Sequence, residues 1–193
     1  MTEVSTNATI PAVGSPQLTA PRGFGWALLA LAAGGFAIGT TEFVTMGVLP
    51  QIASGVGVSI PSAAHTISAY ALGVVVGAPL VAFFGARLPR RALLIALMAA
   101  YGVFNLLSAA AAGYHLLVLS RFLDGLPHGA YFGVASLVAA SLATPARRGR
   151  AVASVMLGLS VANVFGVPAG TWLGQQVGWR ATYLAAGALA LLA

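Results

Sequence analysis

The sequence has no cysteine, little charge of either sign and only three acids. Without cysteine there is no disulfide and no thiolate metal site, an absence that excludes chemistry while saying little about compartment. Only 6% of the 193 residues are charged, against 59% hydrophobic residues, 24 glycines and a mean hydropathy of +0.94. That balance excludes an ordinary soluble domain and implies an integral membrane protein. No phosphate-cradling G-x-x-x-x-G-K-[ST] loop is present. The formal net charge of +6 does not imply nucleic acid, because the arginines fall mainly in two tight clusters between apolar spans, where they act as orientation signals.

Residues 1–22 mix Thr, Ser, Pro and Ala with almost no charge and read as a disordered cytoplasmic tail. The apolar run after Arg22 is too long for the core of a cleavable signal and is expected to stay as a membrane helix. A span needs about 20 apolar residues at about 1.5 Å each, and the stretches 24–49, 62–86, 91–112, 114–142 and 150–175 qualify. A sixth begins near Thr182; from there to Ala193 the helix would measure roughly 18 Å against a hydrocarbon core of roughly 30 Å. The expectation is an all-α membrane bundle over residues 23–193 whose sixth helix is incomplete.

Arg87, Arg90 and Arg91 follow the second span, and Arg147, Arg148 and Arg150 follow the fourth. The first, third and fifth connections carry one charge, Arg180, so the positive-inside bias predicts a cytoplasmic N-terminus. Superposing the second and fifth spans reveals a repeat: Gly77-x-Pro79, Gly85 and Arg91 recur as Gly166-x-Pro168, Gly174 and Arg180, each pair 89 residues apart. The implied unit has three helices. An odd number forces the two units to insert in opposite orientations, giving the inverted-topology repeat of many secondary transporters.

Three charges lie inside apolar spans: Glu42, Arg121 and Asp124. On the insertion scale they cost together roughly 8 to 10 kcal/mol, so a polar interior rather than lipid is their expected surrounding. Arg121, Asp124 and His128 follow one another at spacings of three and four, on one helix face. Counting from the span middles at about 1.5 Å per residue puts Glu42, Arg121 and Asp124 in the outer half and His128 near the midplane, where all four would share one cavity. Glu42 reads either as a proton-binding carboxylate or as the ion-pair partner of Arg121. Arg121 would displace a proton from an acid, bind an anionic substrate group, or clamp helices together. Asp124 would neutralise Arg121 or carry a proton itself, and His128 reads as a cavity-lining hydrogen-bond partner.

Gly125 and Gly129 share the face of these residues and Pro127 interrupts the helix, which allows close backbone approach. Small-residue packing also accounts for Gly158, Gly166, Gly170 and Gly174. Phe36, Phe43, Met46 and Tyr131 are the candidate apolar lining, favouring hydrophobic or amphipathic cargo. His65 and His115 lie at span ends and read as interfacial.

These residues resemble the major facilitator superfamily, in particular its twelve-helix drug:proton antiporters, near bacterial arabinose, purine and chloramphenicol exporters. Gly39-Thr40-Thr41-Glu42-Phe43 through Leu49-Pro50 is similar to that family's first-helix motif. Arg121 through Gly129 is similar to its fourth-helix motif, whose arginine is implicated in proton coupling. Gly158, Gly166, Pro168, Gly170 and Gly174 resemble the fifth-helix antiporter motif, with Gly166-Val167-Pro168 in place of Gly-Pro. Arg87, Arg90 and Arg91 match the basic part of the motif between the second and third helices. Ala86 stands there where the family has Asp and Pro89 where it has Gly, so the resemblance does not extend to carboxylate gating at that loop.

The resemblance implies the six-helix amino-terminal half of a transporter built from two inverted three-helix repeats. It would sit in the bacterial inner membrane, exporting a small organic molecule such as a drug, sugar or nucleoside. The proton gradient would drive it, with no cofactor or metal. Its partners would be the substrate, the lipid bilayer, and a missing carboxy-terminal six-helix half or a second copy. The chain is then expected to be a fragment; an inactive or dimeric truncated half is the alternative. An intramembrane protease suits the residues poorly: Gly158-Leu159-Ser160-Val161-Ala162 lacks the closing glycine of a nucleophile elbow, and Asp124 has no second acid in a matching motif.

Overall fold

The computed structural model describes residues 23–193, so the tail expected over residues 1–22 lies outside the described residues. Among the described residues eight α-helices run in order: α1 (Phe24–Gly47), α2 (Leu49–Val56), α3 (Ile60–Phe84), α4 (Arg90–Ala110), α5 (Tyr114–Leu142), α6 (Arg148–Val161), α7 (Val167–Gln176) and α8 (Trp179–Leu192). No strand occurs among the described residues. Among the described residues four helical segments, Phe24–Gly47, Ile60–Arg87, Arg90–Ala110 and Pro145–Gln176, combine the length and apolarity of membrane spans. At 29 residues α5 is also long enough, about 43 Å, and it is the helix that carries Arg121, Asp124 and His128.

Helix boundaries follow local chemistry. Ser59 caps α3 by accepting the Ser62 N–H at 3.3 Å, and Pro61 occupies its first turn, where a missing N–H costs nothing. Gly57 ends α2 at a φ of 69°, and Gly178 precedes α8 at 114°, conformations that a side chain resists. The first expected span is shorter than 24–49: α1 ends at Gly47, and Pro50 opens the separate helix α2, which reaches Val56. The fifth span is not uniform either. A π-helical turn, Ala162–Gly166, separates α6 from α7 immediately before Pro168, which lacks the N–H to continue the α-helical ladder.

The packing repeats with the sequence. Helix α3 lies along α5 as α6 and α7 lie along α1; α4 packs on α5 as α8 packs on α1; and α4 and α8 pack on each other. Exchanging the first three spans for the last three leaves this pattern unchanged, the arrangement of two inverted three-helix repeats. Even the uncovered faces match: Leu72, Val75 and Phe83 on α3 are exposed, and so are Val161, Val164 and Trp172, each 89 residues further on.

With hydrocarbon outside, helix association depends on close van der Waals contact rather than on excluding water. Helices α3 and α5 obtain it by interlocking two glycine pairs. A Cβ at Gly73 or Gly77 would strike the Phe122 or Leu126 carbonyl, and one at Gly125 or Gly129 would strike the Tyr70 or Val74 carbonyl. The α1 contact is built similarly, with Gly158 against the Ala32 backbone, Gly166 against Thr40, Gly170 against Val44, and Gly174 against Val48 and Thr182. Closely apposed backbones hold the interior faces of α1, α3, α4, α5 and α8 around one polar cluster.

Candidate functional site: a buried ion pair between aromatic rings

Arg121 and Asp124 are fully buried, one turn apart on α5, and joined as an ion pair from Arg121 Nη1 to Asp124 Oδ2. The second carboxylate oxygen, Oδ1, accepts a 2.7 Å hydrogen bond from Asn105 Nδ2 on α4. The same amide also donates to the Tyr101 carbonyl one turn back, at 3.0 Å. The Arg121 guanidinium lies over the ring of Tyr70 from α3, 4.3 Å from its centroid, and 5.1 Å from that of Tyr183 on α8. A cation over a desolvated aromatic face gains about 2 kcal/mol, part of what offsets withdrawing the charge from water.

The rings extend the network. Tyr70 Oη meets His128 Nδ1 at 2.7 Å and Tyr101 Oη at 3.3 Å, and the Tyr101 hydroxyl donates to the Ile38 carbonyl of α1 at 3.3 Å. Tyr183 Oη meets Thr45 Oγ1 of α1 at 3.1 Å. Thus α1, α3, α4, α5 and α8 all reach one ion pair. Within it, Arg121 Nε and Asn105 Oδ1 are buried without a hydrogen-bond partner among the described residues. A buried donor and acceptor left unmade cost roughly 1–3 kcal/mol each, so this centre is not built for stability alone.

Of the candidates from sequence, the structure joins Arg121, Asp124 and His128, the last through Tyr70. Glu42 stands apart on α1. It is half-buried, one turn from the exposed Met46, and makes no side-chain hydrogen bond or ion pair among the described residues, so its pairing with Arg121 is not seen. Nor do the four share one open cavity: Arg121 and Asp124 are enclosed by packed aromatic rings, with no exposed surface. Tyr131, expected as lining, borders a cavity bounded by α1, α4, α5 and α8, and its hydroxyl donates to the Leu31 carbonyl at 2.8 Å.

The basic motif lies away from this centre. Arg87 ends a short 3-10 turn, while Arg90 and Arg91 open α4; all three are exposed. Arg90 borders a cavity of about 580 Å³ between α3 and α5, and with Arg91 a second of about 730 Å³ bounded by α1, α4, α5 and α8. At the opposite end of the bundle, His65 Nδ1 meets Tyr114 Oη at 2.7 Å, and Arg180 donates to the Ala111 carbonyl at 2.9 Å.

Residues 31–193 match the Major Facilitator Superfamily. This chain belongs to that superfamily of transporters. It is 53% identical over 165 residues to the inner membrane transport protein YdhP of Escherichia coli (strain K12), a match covering 86% of this chain and 42% of the relative. It is 40% identical over 149 residues to a chloramphenicol resistance protein of Streptomyces lividans, covering 77% and 38% of the two. Among solved structures, a bacterial homolog of the human lysosomal transporter Spinster, inward-facing and unoccupied, shares the fold at a TM-score of 0.74 and 18% identity, covering 88% of this chain and 41% of that one. The chain therefore spans less than half the length of the relatives it matches, and its two three-helix repeats correspond to half of a major facilitator fold.

Sequence reasoning missed Tyr70, Tyr101, Asn105 and Tyr183. A weak signal existed for α4: Tyr101, Asn105 and Ser108 recur at spacings of four and three, a polar stripe on an apolar helix.

Proposed function

We propose that the chain forms half of a proton-coupled exporter of a small organic molecule such as a drug, sugar or nucleoside. It would lie in the bacterial inner membrane, N-terminus in the cytoplasm. The observation that carries this reading is the Arg121–Asp124 pair, fully enclosed at the meeting point of five helices. Ionisable groups at such depth are expensive and mark ion or proton pathways. Glu42 supplies the second element, an acid on α1 without a side-chain partner among the described residues, which can take and release a proton without dismantling the buried pair.

In the proposed cycle a proton from outside binds Glu42. The loss of its negative charge on α1 biases the two-state rocking of one repeat-built half against the other. A proton crossing 100 mV releases about 2.3 kcal/mol, enough to move substrate outward without ATP. Likeness to a chloramphenicol resistance protein supports export, and the exposed, repeat-related stripes on α3 and along the fifth span suit contact with a second six-helix half. The test is acid-driven transport of chloramphenicol by the complete transporter in proteoliposomes. Arg121→Ala is expected to abolish it, and unchanged transport by that variant would remove Arg121 from the mechanism.

A further inference from the structure

We infer that Asn105 is a positioning residue that holds Asp124 in place while Arg121 changes partner. The assignment rests on the reading of Arg121 and Asp124 as part of the coupling machinery.

Guanidinium–carboxylate pairs are frequently bidentate, the geometry that gives such pairs added strength. Here Arg121 engages Oδ2 alone, and Oδ1 is given to Asn105 on a different helix. The asymmetry has a consequence for motion. If Arg121 swung towards another acceptor, Asp124 would still keep one strong hydrogen bond, so the buried anion would never be stripped of all its partners. The guanidinium has the features of a group able to leave: one polar contact to the carboxylate, two aromatic faces to slide against, and a buried Nε with no partner among the described residues.

Asn105 is held as firmly as this role requires. It is fully buried, and its amide is braced on the Tyr101 carbonyl at 3.0 Å. One turn along, Ser108 Oγ donates to Ser120 Oγ at 3.0 Å, fixing the register of α4 on α5. The two contacts form successive rungs of an antiparallel ladder, 108 with 120 and 105 with 124. An amide is also suited to the task chemically, because it donates to the carboxylate and stays uncharged in every state of the cycle.

The discriminating substitution is Asn105→Ser. A serine can bond back to the same Tyr101 carbonyl, preserving the local helix, yet is too short to reach Asp124. Asn105→Ala serves as the second variant should the first not fold. Each is combined with Asp124→Asn in the complete transporter, and two quantities are measured: acid-driven transport of chloramphenicol in proteoliposomes and thermal melting in detergent. Asn105→Ser is expected to lower the maximal rate about tenfold with little change in half-saturating chloramphenicol, and to do nothing further in the Asp124→Asn background. The melting temperatures should be non-additive in the same way. Wild-type transport by Asn105→Ser, or effects of the two substitutions that simply add, would overturn the assignment. Should the unsubstituted transporter move no chloramphenicol, the proposed export to that probe fails separately, and the melting cycle decides the role of Asn105 by itself.

Discussion

Arg121 has the most exacting surroundings in the chain, a flat slot between two tyrosine rings with an acid at one end. Only a planar, delocalised cation fits both the rings and the carboxylate, so lysine is a poor substitute. Arg121→Lys is expected to leave acid-driven transport at least tenfold below wild type. Arg121→Ala should in addition lower stability by about 3–5 kcal/mol, because it leaves Asp124 buried without its charge partner. Thermal melting beside the transport assay separates the two effects. Glu42 predicts the opposite division. It has no side-chain partner to lose among the described residues, so Glu42→Gln should change stability by no more than about 0.5 kcal/mol while abolishing the response of transport to the pH gradient. A melting temperature that fell as far for Glu42→Gln as for Arg121→Ala would show Glu42 to be structural.

At the scale of elements, the seam between α3 and α5 is set by backbones rather than side chains. Gly129→Ala places a methyl group against the Val74 carbonyl and should cost about 1–3 kcal/mol, whereas Gly133→Ala, one turn along the same helix with open space around its Cα, should be tolerated. Parallel melting curves check the pair, and equal losses would contradict the seam. Element existence was legible in the sequence where breakers bracket an apolar run: α5 begins and ends at Tyr114 and Leu142 as expected, between Gly113 and the Thr144-Pro145 break. The break at Val48 and the π turn at Ala162–Gly166 were missed because both lie inside apolar runs that hydropathy does not divide, although Pro50 and Pro168 mark them. The site was legible in its charges and not in its partners. An apolar run singles out Arg121 and Asp124 at once, whereas Tyr70, Asn105 and Tyr183 are unremarkable until packing turns them to one point. Their roles come from tertiary placement and not from local pattern.

For the whole molecule, the internal repeat joins sequence to fold. The 89-residue offset found in glycines, prolines and arginines returns as matched helix packing and matched uncovered faces. The two arginine clusters lie at the same end of the bundle, at the α3–α4 and α5–α6 junctions, and on the proposed orientation this end is cytoplasmic. The absence of native cysteine in this chain makes the orientation straightforward to test. In intact cells, a membrane-impermeant maleimide should label Ser59→Cys or Gly113→Cys and spare Leu88→Cys; the reverse pattern would invert the topology.

The central claim is proton-coupled export through the acid on α1 and the buried pair on α5. Its most direct test uses everted membrane vesicles containing the complete transporter, energised by respiration and followed with a fluorescent reporter of the pH gradient. Chloramphenicol, arabinose and a purine nucleoside are added in turn. At least one should partly dissipate the gradient in wild-type vesicles and leave it intact in Glu42→Gln and Arg121→Ala vesicles. Accumulation of any of these compounds with no loss of gradient, or equal loss in the variants, would contradict proton coupling at these residues.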